Sequence, residues 1–163
     1  MNEAEFIGTF GELYESSPWV AIEAATRRPF ADWDALLNAF RNAVDGASQA
    51  AQDKLILAHP DLAGRLARDG QLTQSSTKEQ ARLGLDRLDA EEYAAFDRLN
   101  QAYKDKFQFP FIVCLGLIEH RRQIISAFEE RVRHSIEEER HEALAQIHHI
   151  ARVRLQGLTD RME

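Results

Sequence analysis

The sequence predicts an all-α protein, folded as a compact single-domain bundle of about eight helices over residues 1–163. Only four prolines and eight glycines occur in the 163 residues, so long stretches lack the residues that interrupt helices. Apolar residues recur along nearly all of these stretches at the three- and four-residue spacing of an amphipathic helix, and they do not alternate as in a strand. A chain of this length can bury roughly 70% of its unfolded surface, so its core requires neither a disulfide nor a structural metal.

Four helices are predicted in the first 60 residues. The first has an apolar face formed by Phe6, Phe10 and Leu13. Ser17, directly before Pro18, is the predicted N-cap of a short second helix. The third is marked by Trp33, Leu36, Leu37 and Phe40. It should end near Gly46, and Ser48 should cap a fourth helix that Pro60 stops.

The second half of the chain is also predicted to be helical apart from one loop. Residues 67–75 have no periodic apolar face and are interpreted as a surface loop that could border an active site. Asp89 caps a helix whose apolar stripe is Tyr93, Phe96, Leu99, Tyr103 and Phe107. Residues 109–117 are predicted to be a helix that starts at Pro110, because a lone strand would lack a partner. A final helix covers residues 136–158, with Leu144, Ile147, Ala151, Leu155 and Leu158 on one face.

Charge and cysteine content exclude several classes of function. The net charge is −7, from 27 acidic and 20 basic residues, and no basic stripe is present for a nucleic-acid backbone. The single cysteine, Cys114, lies in an apolar run, which predicts a buried thiol and a reducing compartment. No signal-peptide pattern, 18-residue apolar span or Ser-Lys-Leu ending is visible, so we expect a cytoplasmic protein that does not contact membranes.

His59 is the first candidate for chemistry. Pro60 disfavours the α conformation in the preceding residue, so His59 should lie at the very end of its helix, where an imidazole can face a cavity. The helix dipole would favour its protonated form, and its reference pKa near 6.5 allows proton exchange at neutral pH. The alternative is a structural histidine that hydrogen-bonds the last carbonyls of its helix.

Ser76 and Glu79 form the second candidate constellation. Ser-x-x-Glu is the pattern of a capping box, in which Ser76 would cap a helix and Glu79 would bond back to the Ser76 amide. The functional alternative is that the first helical turn offers N–H groups to an anionic ligand, with Glu79 as an acid or base. Both interpretations use the same two residues.

Two further segments carry side chains that suit a pocket. Phe111 and Ile112 belong to an aromatic run around Pro110, which is typical of a core but could also form the wall of a ligand site. Arg154 borders the apolar stripe of the last helix. Its guanidinium could extend to solvent or could bind a carboxylate or ureido oxygen.

Metal binding is the competing chemistry. His134, His141 and His148 recur every seven residues, and Glu138 lies three residues before His141, as in di-iron bundles. That motif occurs only once here, whereas a di-metal bundle needs it on two helices, so a solvated polar face is the better interpretation. Without a second cysteine, Cys114 supports neither a zinc finger nor thiol catalysis.

Several short motifs together resemble the 2-oxo-4-hydroxy-4-carboxy-5-ureidoimidazoline (OHCU) decarboxylase family. In chain order they are Ser17-Pro18-Trp19, Ala58-His59-Pro60-Asp61-Leu62-Ala63, Ser76-x-x-Glu79-Gln80, Leu99-Asn100-x-x-Tyr103-x-x-Lys106-Phe107, Phe109-Pro110-Phe111-Ile112 and Ile150-Ala151-x-x-Arg154-Leu155. Each motif is weak alone, but their order and spacing are specific. Two departures are Gln108, where the family usually has glycine, and Leu117, where a glycine-containing turn is common.

The resemblance implies a function and a set of site residues. It implies a cofactor-free and metal-free homodimer that converts OHCU to (S)-allantoin and CO₂, the last step from urate to allantoin. His59 would be the catalytic acid/base and Glu79 its partner. The implied substrate-binding positions are Pro60, Ser76, Gln80, Phe111, Ile112 and Arg154. The remaining alternatives are a metal-binding helical enzyme and a non-catalytic helical interaction module.

Overall fold

The computed structural model describes residues 1–160, and helices are the only regular secondary structure in that range. The α-helices there are α1 (Glu3–Phe10), α2 (Trp19–Ala25), α3 (Trp33–Asp45), α4 (Gln49–Leu57), α5 (Arg65–Arg68), α6 (Gln74–Arg82), α7 (Ala90–Phe107), α8 (Arg121–Arg131) and α9 (Ile136–Thr159). A 3-10 helix covers Leu115–Leu117. The all-α prediction is confirmed. Within residues 1–160, every helix is too short or too polar to cross a membrane.

Short polar side chains explain where most helices begin. Ser48 and Asp89 accept N–H bonds from the first turns of α4 and α7, as predicted, and Asp32 does the same for α3. The predicted N-cap Ser17 is wrong by one residue, because α2 starts at Trp19 with Pro18 in the cap position. The Ser17 carbonyl instead accepts the N–H of Val20, at 3.2 Å.

The chain divides into two units, each with its own buried residues. The first unit comprises Met1–Ala58 and the residues from His148 onward, so it contains α1 to α4 and the second half of α9. Its buried apolar side chains include Phe6, Phe10, Leu13, Val20, Leu36, Phe40, Val44, Leu55, Ile56, Ile150 and Leu155. Phe6 stacks on Phe40, with ring centroids 6.0 Å apart and planes at 17°. Phe6, Phe10, Leu36 and Phe40 of the apolar faces predicted for α1 and α3 therefore lie in this core, whereas Trp33 is 46% exposed.

The second unit, His59–Ile147, is organised around aromatic rings. Tyr103 and Phe107 of the predicted α7 stripe are buried next to each other, with ring centroids 4.6 Å apart. Phe111 stacks on Phe128 of α8 at 3.7 Å and meets Tyr103 edge-on at 5.2 Å. These contacts bring α7, α8 and the segment after α7 into one core.

The helix predicted for residues 109–117 is absent. Gln108 adopts a left-handed conformation with φ 64°, which ends α7, and the chain then runs without helix up to Leu115. Side chains from later helices bond the backbone of this segment. Arg131 donates to the Ile112 carbonyl, and Gln146 Oε1 accepts the Cys114 N–H at 2.9 Å. These two backbone groups are therefore paired without helical hydrogen bonds.

The loop predicted for residues 67–75 is shorter than expected. The single-turn helix α5 extends to Arg68, and α6 already begins at Gln74. The Thr73 side chain caps α6 by accepting the Ser76 N–H, at 3.3 Å. Only residues 69–73 connect the two helices, with Gly70 in a left-handed conformation at φ 69°.

Candidate active site

His59 lies just beyond the end of α4, as its position before Pro60 predicted. The helix ends at Leu57, with Ala58 as its C-cap. The His59 side chain is buried, with only 8% of its surface exposed. Pro60 and the residues up to Gly64 then run without helical structure to the start of α5. A buried imidazole outside regular helix packing can serve either chemistry or structure.

Gln80 of α6 holds the backbone of the segment that follows His59. Its Oε1 accepts the N–H of Ala63 at 2.9 Å, and its Nε2 donates to the carbonyl of Asp61 at 3.2 Å. Gln80 is 2% exposed. The structure therefore gives this predicted substrate-binding residue a bracing role. An amide nitrogen carries two hydrogens and Asp61 takes one, so a contact with a ligand remains a prediction.

Ala63 adopts a backbone conformation that favours glycine. Its φ is 50°, in the left-handed region, where a Cβ atom costs about 1 kcal/mol or more. The Gln80 bond to its N–H offsets part of that cost, and Arg68 Nε donates to its carbonyl at 3.3 Å. The segment after His59 thus has its shape imposed by neighbouring side chains.

Two residues of α7, which the sequence analysis did not select, also contact this segment. Asn100 Nδ2 donates to the Leu62 carbonyl at 2.9 Å, and Lys104 Nζ bonds Asp61 Oδ2 at 2.6 Å. Asn100 is buried on the apolar stripe, four residues after Phe96. A polar residue at such a position was the available signal, because burying an amide requires a specific partner.

The capping box predicted for Ser76 and Glu79 is wrong. Thr73 caps α6, so Ser76 is the third residue of the helix and Glu79 the sixth. The Ser76 N–H, which was expected to be available to an anion, is donated to Thr73 Oγ1. Ser76 and Gln80 are buried, and Glu79 between them is half-buried. Glu79 and Gln80 follow Ser76 by three and four residues, so both side chains lie next to that of Ser76 on the surface of α6.

Phe111 and Ile112 are part of the aromatic core of the second unit. They are 1% and 3% exposed, and the guanidinium of Arg131 lies over the Phe111 ring, 4.4 Å from its centroid. The core interpretation of these two residues is therefore confirmed. A role as a ligand wall remains a prediction.

A buried ion pair supports this segment and was also missed by the sequence analysis. Arg131 Nε donates to Glu139 at 2.6 Å, and the two side chains are 7% and 0% exposed. Tyr103 donates to the same carboxylate, and His134 Nδ1 lies 3.0 Å from it. The pKa of Tyr103 is raised, mainly by burial and secondly by the hydrogen bond to Glu139. The Tyr103 hydroxyl therefore stays protonated and can act as a donor. A fully buried carboxylate is tolerated only when it is paired with a cation and when further hydrogen bonds satisfy its oxygen lone pairs.

Arg154, the last predicted binding residue, belongs to the first unit. Its side chain is 8% exposed, so the interpretation that it extends to solvent is wrong. Nη2 pairs with Glu15 Oε2 at 2.8 Å, and Nη1 approaches the carbonyls of Glu12 and Leu13 at 3.4 Å. Glu15 is itself only 3% exposed. A guanidinium fixed in this way presents a planar cationic group in a defined orientation.

Of the three histidines that suggested metal binding, only His141 and His148 lie on α9. His134 precedes the start of α9, and His141 is exposed. His148 is not on a solvated face: it bonds the Tyr14 hydroxyl at 3.0 Å and Asp45 Oδ1 at 3.1 Å. Burial lowers the pKa of His148. Within residues 1–160, the histidine, cysteine and acidic side chains form no group of three or more that could hold a metal ion.

The predicted residues of the second unit are linked through α7. Asn100 contacts the segment after His59, and Tyr103, almost one turn later, contacts Phe111. Gln80 joins α6 to the same His59 segment. The structure thus connects the three predicted segments of this unit: the His59 segment, the α6 residues and the Phe111 segment.

Known proteins match this chain over nearly its whole length. The family model for OHCU decarboxylase matches residues 1–156. The chain is 41% identical to the 2-oxo-4-hydroxy-4-carboxy-5-ureidoimidazoline decarboxylase of Haloferax volcanii, over 95% of this chain and 89% of that protein. It is 32% identical to the mouse (Mus musculus) protein of the same name, over 97% of this chain and 88% of the relative.

A solved structure is also similar in fold. The crystal structure of an (S)-allantoin synthase aligns with a TM-score of 0.75 and 28% sequence identity. The alignment covers 97% of this chain and 50% of that one, so this protein spans half the length of the solved chain. The family model and the two relatives show that this chain belongs to the OHCU decarboxylase family.

Proposed function

We propose that this protein decarboxylates OHCU to (S)-allantoin and CO₂ without a cofactor, using His59 and Glu79 as an acid/base pair. Family membership supports the reaction. The observation that carries the proposal for the site is the placement of His59: a buried imidazole in a segment held by Gln80 and Asn100. Catalytic groups need this kind of fixed orientation.

The substrate can supply its own electron sink. Its carboxylate is bonded to a hydroxylated ring carbon next to a C=N bond. When the C–CO₂ bond breaks, its electron pair forms a C=C bond between the two ring carbons, and the C=N pair moves to nitrogen, which takes a proton. The ring carbon that bears the ureido group is then protonated while the hydroxyl loses its proton to give the carbonyl. Protonation from one face gives one enantiomer.

His59 and Glu79 divide these proton transfers in our proposal. One residue accepts the proton of the substrate hydroxyl. The other takes part in protonating the ring carbon that bears the ureido group, which forms the product. The correction at α6 supports a chemical role for Glu79, because Thr73 is the residue that caps the helix. Arg154 would bind an anionic or ureido oxygen. The other proposed substrate contacts are Pro60, Ser76, Gln80, Phe111 and Ile112.

Replacing His59 tests the assignment. In His59→Gln the side chain keeps its size and hydrogen bonding but cannot carry a proton near pH 7. We expect an unchanged melting temperature, substrate decay at the spontaneous rate and racemic allantoin. His141→Gln is the matched control, since His141 is an exposed histidine of α9. Rapid formation of (S)-allantoin by His59→Gln would refute the catalytic assignment.

Glu79→Gln tests the second half of the pair. It removes the ionisable group while preserving shape, so we expect a folded protein whose turnover falls by roughly 10² or more. Glu129→Gln, at an exposed position of α8, is the control for loss of one negative charge. Turnover within a factor of about two of the control would return Glu79 to a structural role.

We also propose that the protein acts as a homodimer in the cytoplasm, as the family resemblance implies. Light scattering on the purified protein at several concentrations tests the first point, with a mass of twice the 18.6 kDa chain as the expected result. A constant mass equal to that of one chain would refute it.

A further inference from the structure

We propose that Asn100, assisted by Lys104, is a positioning residue for His59. This inference rests on the proposed function, because it assigns to α7 the task of orienting the catalytic imidazole. The two residues lie four positions apart on α7 and reach the chain just after His59: Asn100 bonds the Leu62 carbonyl, and Lys104 bonds the Asp61 carboxylate. Neither residue would touch the substrate in this role.

The environment of Asn100 favours positioning over stabilisation. The side chain is 4% exposed, and within residues 1–160 its Nδ2 atom donates one hydrogen bond, to the Leu62 carbonyl. Its Oδ1 atom is buried and accepts no hydrogen bond in that part of the chain. A buried acceptor without a partner destabilises a fold, and a leucine would suit this apolar stripe better. The hydrogen bond to the Leu62 carbonyl is therefore the reason for an asparagine at this buried position.

The segment after His59 needs external support. Ala63 is in the left-handed region at φ 50°, so the turn is not a conformation the chain prefers by itself. Gln80 of α6 and Asn100 of α7 bond consecutive residues of this turn, at the Ala63 N–H and the Leu62 carbonyl. Lys104 restrains the neighbouring Asp61 side chain at 2.6 Å. Loss of any one of these contacts should change the backbone conformation after His59 and so shift the position of the His59 imidazole.

Positioning of this kind affects turnover more than binding. Proton transfer requires heavy-atom distances of about 2.6–3.2 Å, and a shift of roughly 1 Å can reduce turnover about 10²-fold. Substrate contacts elsewhere would be preserved. A residue that acts through His59 is therefore expected to lower kcat while KM changes little.

The first variant is Asn100→Leu, which has similar volume and removes the Leu62 bond. We expect kcat to fall by about tenfold or more, with KM within about threefold of wild type. Substrate-free hydrogen exchange of the Ala63 amide should become faster by about tenfold. Unchanged kcat and unchanged Ala63 exchange in a folded Asn100→Leu protein would overturn the proposal.

A pair of lysine variants covers the case in which Asn100→Leu does not fold. Lys104→Met removes the contact with Asp61, and Lys106→Met, two residues later on α7, removes contacts with the carbonyls of Val132 and His134 instead. We expect a decrease in kcat of about threefold or more for Lys104→Met and wild-type turnover for Lys106→Met. Equal effects of the two variants would overturn the role of Lys104.

The exchange measurement separates this inference from the proposed function. If wild-type protein does not accelerate substrate decay, the proposed function fails. Ala63 exchange in Asn100→Leu then still decides whether Asn100 holds the loop. If wild type is active and Asn100→Leu loosens the loop without lowering kcat, only the positioning role fails.

Discussion

Two non-helical segments of the second unit, residues 59–64 and 108–114, carry four of the eight predicted site residues and are built alike. Each follows a helix and contains a proline, Pro60 or Pro110. Each also has one non-glycine residue in the left-handed region, Ala63 at φ 50° or Gln108 at φ 64°. In both, side chains from other helices bond the backbone.

The segments differ in what holds them. The backbone of residues 59–64 is bonded by the buried neutral amides of Gln80 and Asn100, and the charged contacts there, from Arg68 and Lys104, are partly exposed to solvent. Residues 108–114 are fixed by the buried Arg131–Glu139 pair and by the stacking of Phe111. Apolar burial dominates stability, and removing one member of a buried ion pair is costly because it leaves an uncompensated charge, whereas a few directed hydrogen bonds contribute less to stability and mainly fix orientation. We therefore expect changes near 108–114 to affect folding, and changes near 59–64 to affect turnover.

The largest effect on stability is expected for Arg131→Met. It leaves the Glu139 carboxylate, which is 0% exposed, without its cation. Breaking a buried pair in this way costs about 3–5 kcal/mol, measurable by urea unfolding. The double variant Arg131→Met, Glu139→Gln should recover part of this loss because the buried charge is also gone. A loss below about 1 kcal/mol for the single variant would contradict the comparison.

An intermediate loss of stability with a large loss of turnover is expected for Gln80→Leu. The change leaves the Ala63 N–H and the Asp61 carbonyl without their partner, at a cost of about 1–3 kcal/mol. Turnover should fall by at least about tenfold because the His59 segment is released. The test compares the loss of stability with the loss of turnover in this variant. If Gln80→Leu loses stability but keeps full turnover, residues 59–64 do not differ from residues 108–114 in the way we expect.

The smallest effect is expected for Gln108→Gly. Glycine removes the Cβ penalty at φ 64°, roughly 1 kcal/mol, but it also makes the unfolded chain more flexible. We expect stability to rise by up to about 1 kcal/mol with turnover unchanged. Gln108→Ala keeps the Cβ and removes the bonds to the Lys104 and Asp105 carbonyls, so it separates the two contributions. Strong destabilisation by glycine would show that those bonds outweigh the backbone conformation.

The sequence predicted one of these segments and not the other for a physical reason. Pro60 acts on its direct neighbour, so the helix end at His59 was visible locally. Residues 109–117 were predicted to be a helix because a lone strand would lack a partner and Pro110 suits a helix start. The side chains that bond this backbone, Arg131 and Gln146, lie 19 and 32 residues beyond their partners Ile112 and Cys114, so no local pattern indicated them. Periodicity contains no information about such contacts.

The start of α6 and the environment of Arg154 show the same limit. Several hydroxyl residues between Thr73 and Thr77 could cap a helix, and a matching glutamate made Ser76 the wrong choice. Arg154 was placed on the correct helix, but its partner Glu15 is 139 residues away. Only Asn100 gave a local signal that was missed, as a buried amide within an apolar stripe.

The most direct test of the central claim is the circular dichroism of the product formed by wild-type protein dialysed against EDTA. The unstable substrate is generated enzymatically from urate, and its absorbance decay is followed with and without the protein. We predict decay well above the spontaneous rate and a product with the dichroism of (S)-allantoin. Decay at the spontaneous rate with racemic allantoin, or activity that returns only when a divalent metal is added, would contradict a cofactor-free decarboxylase.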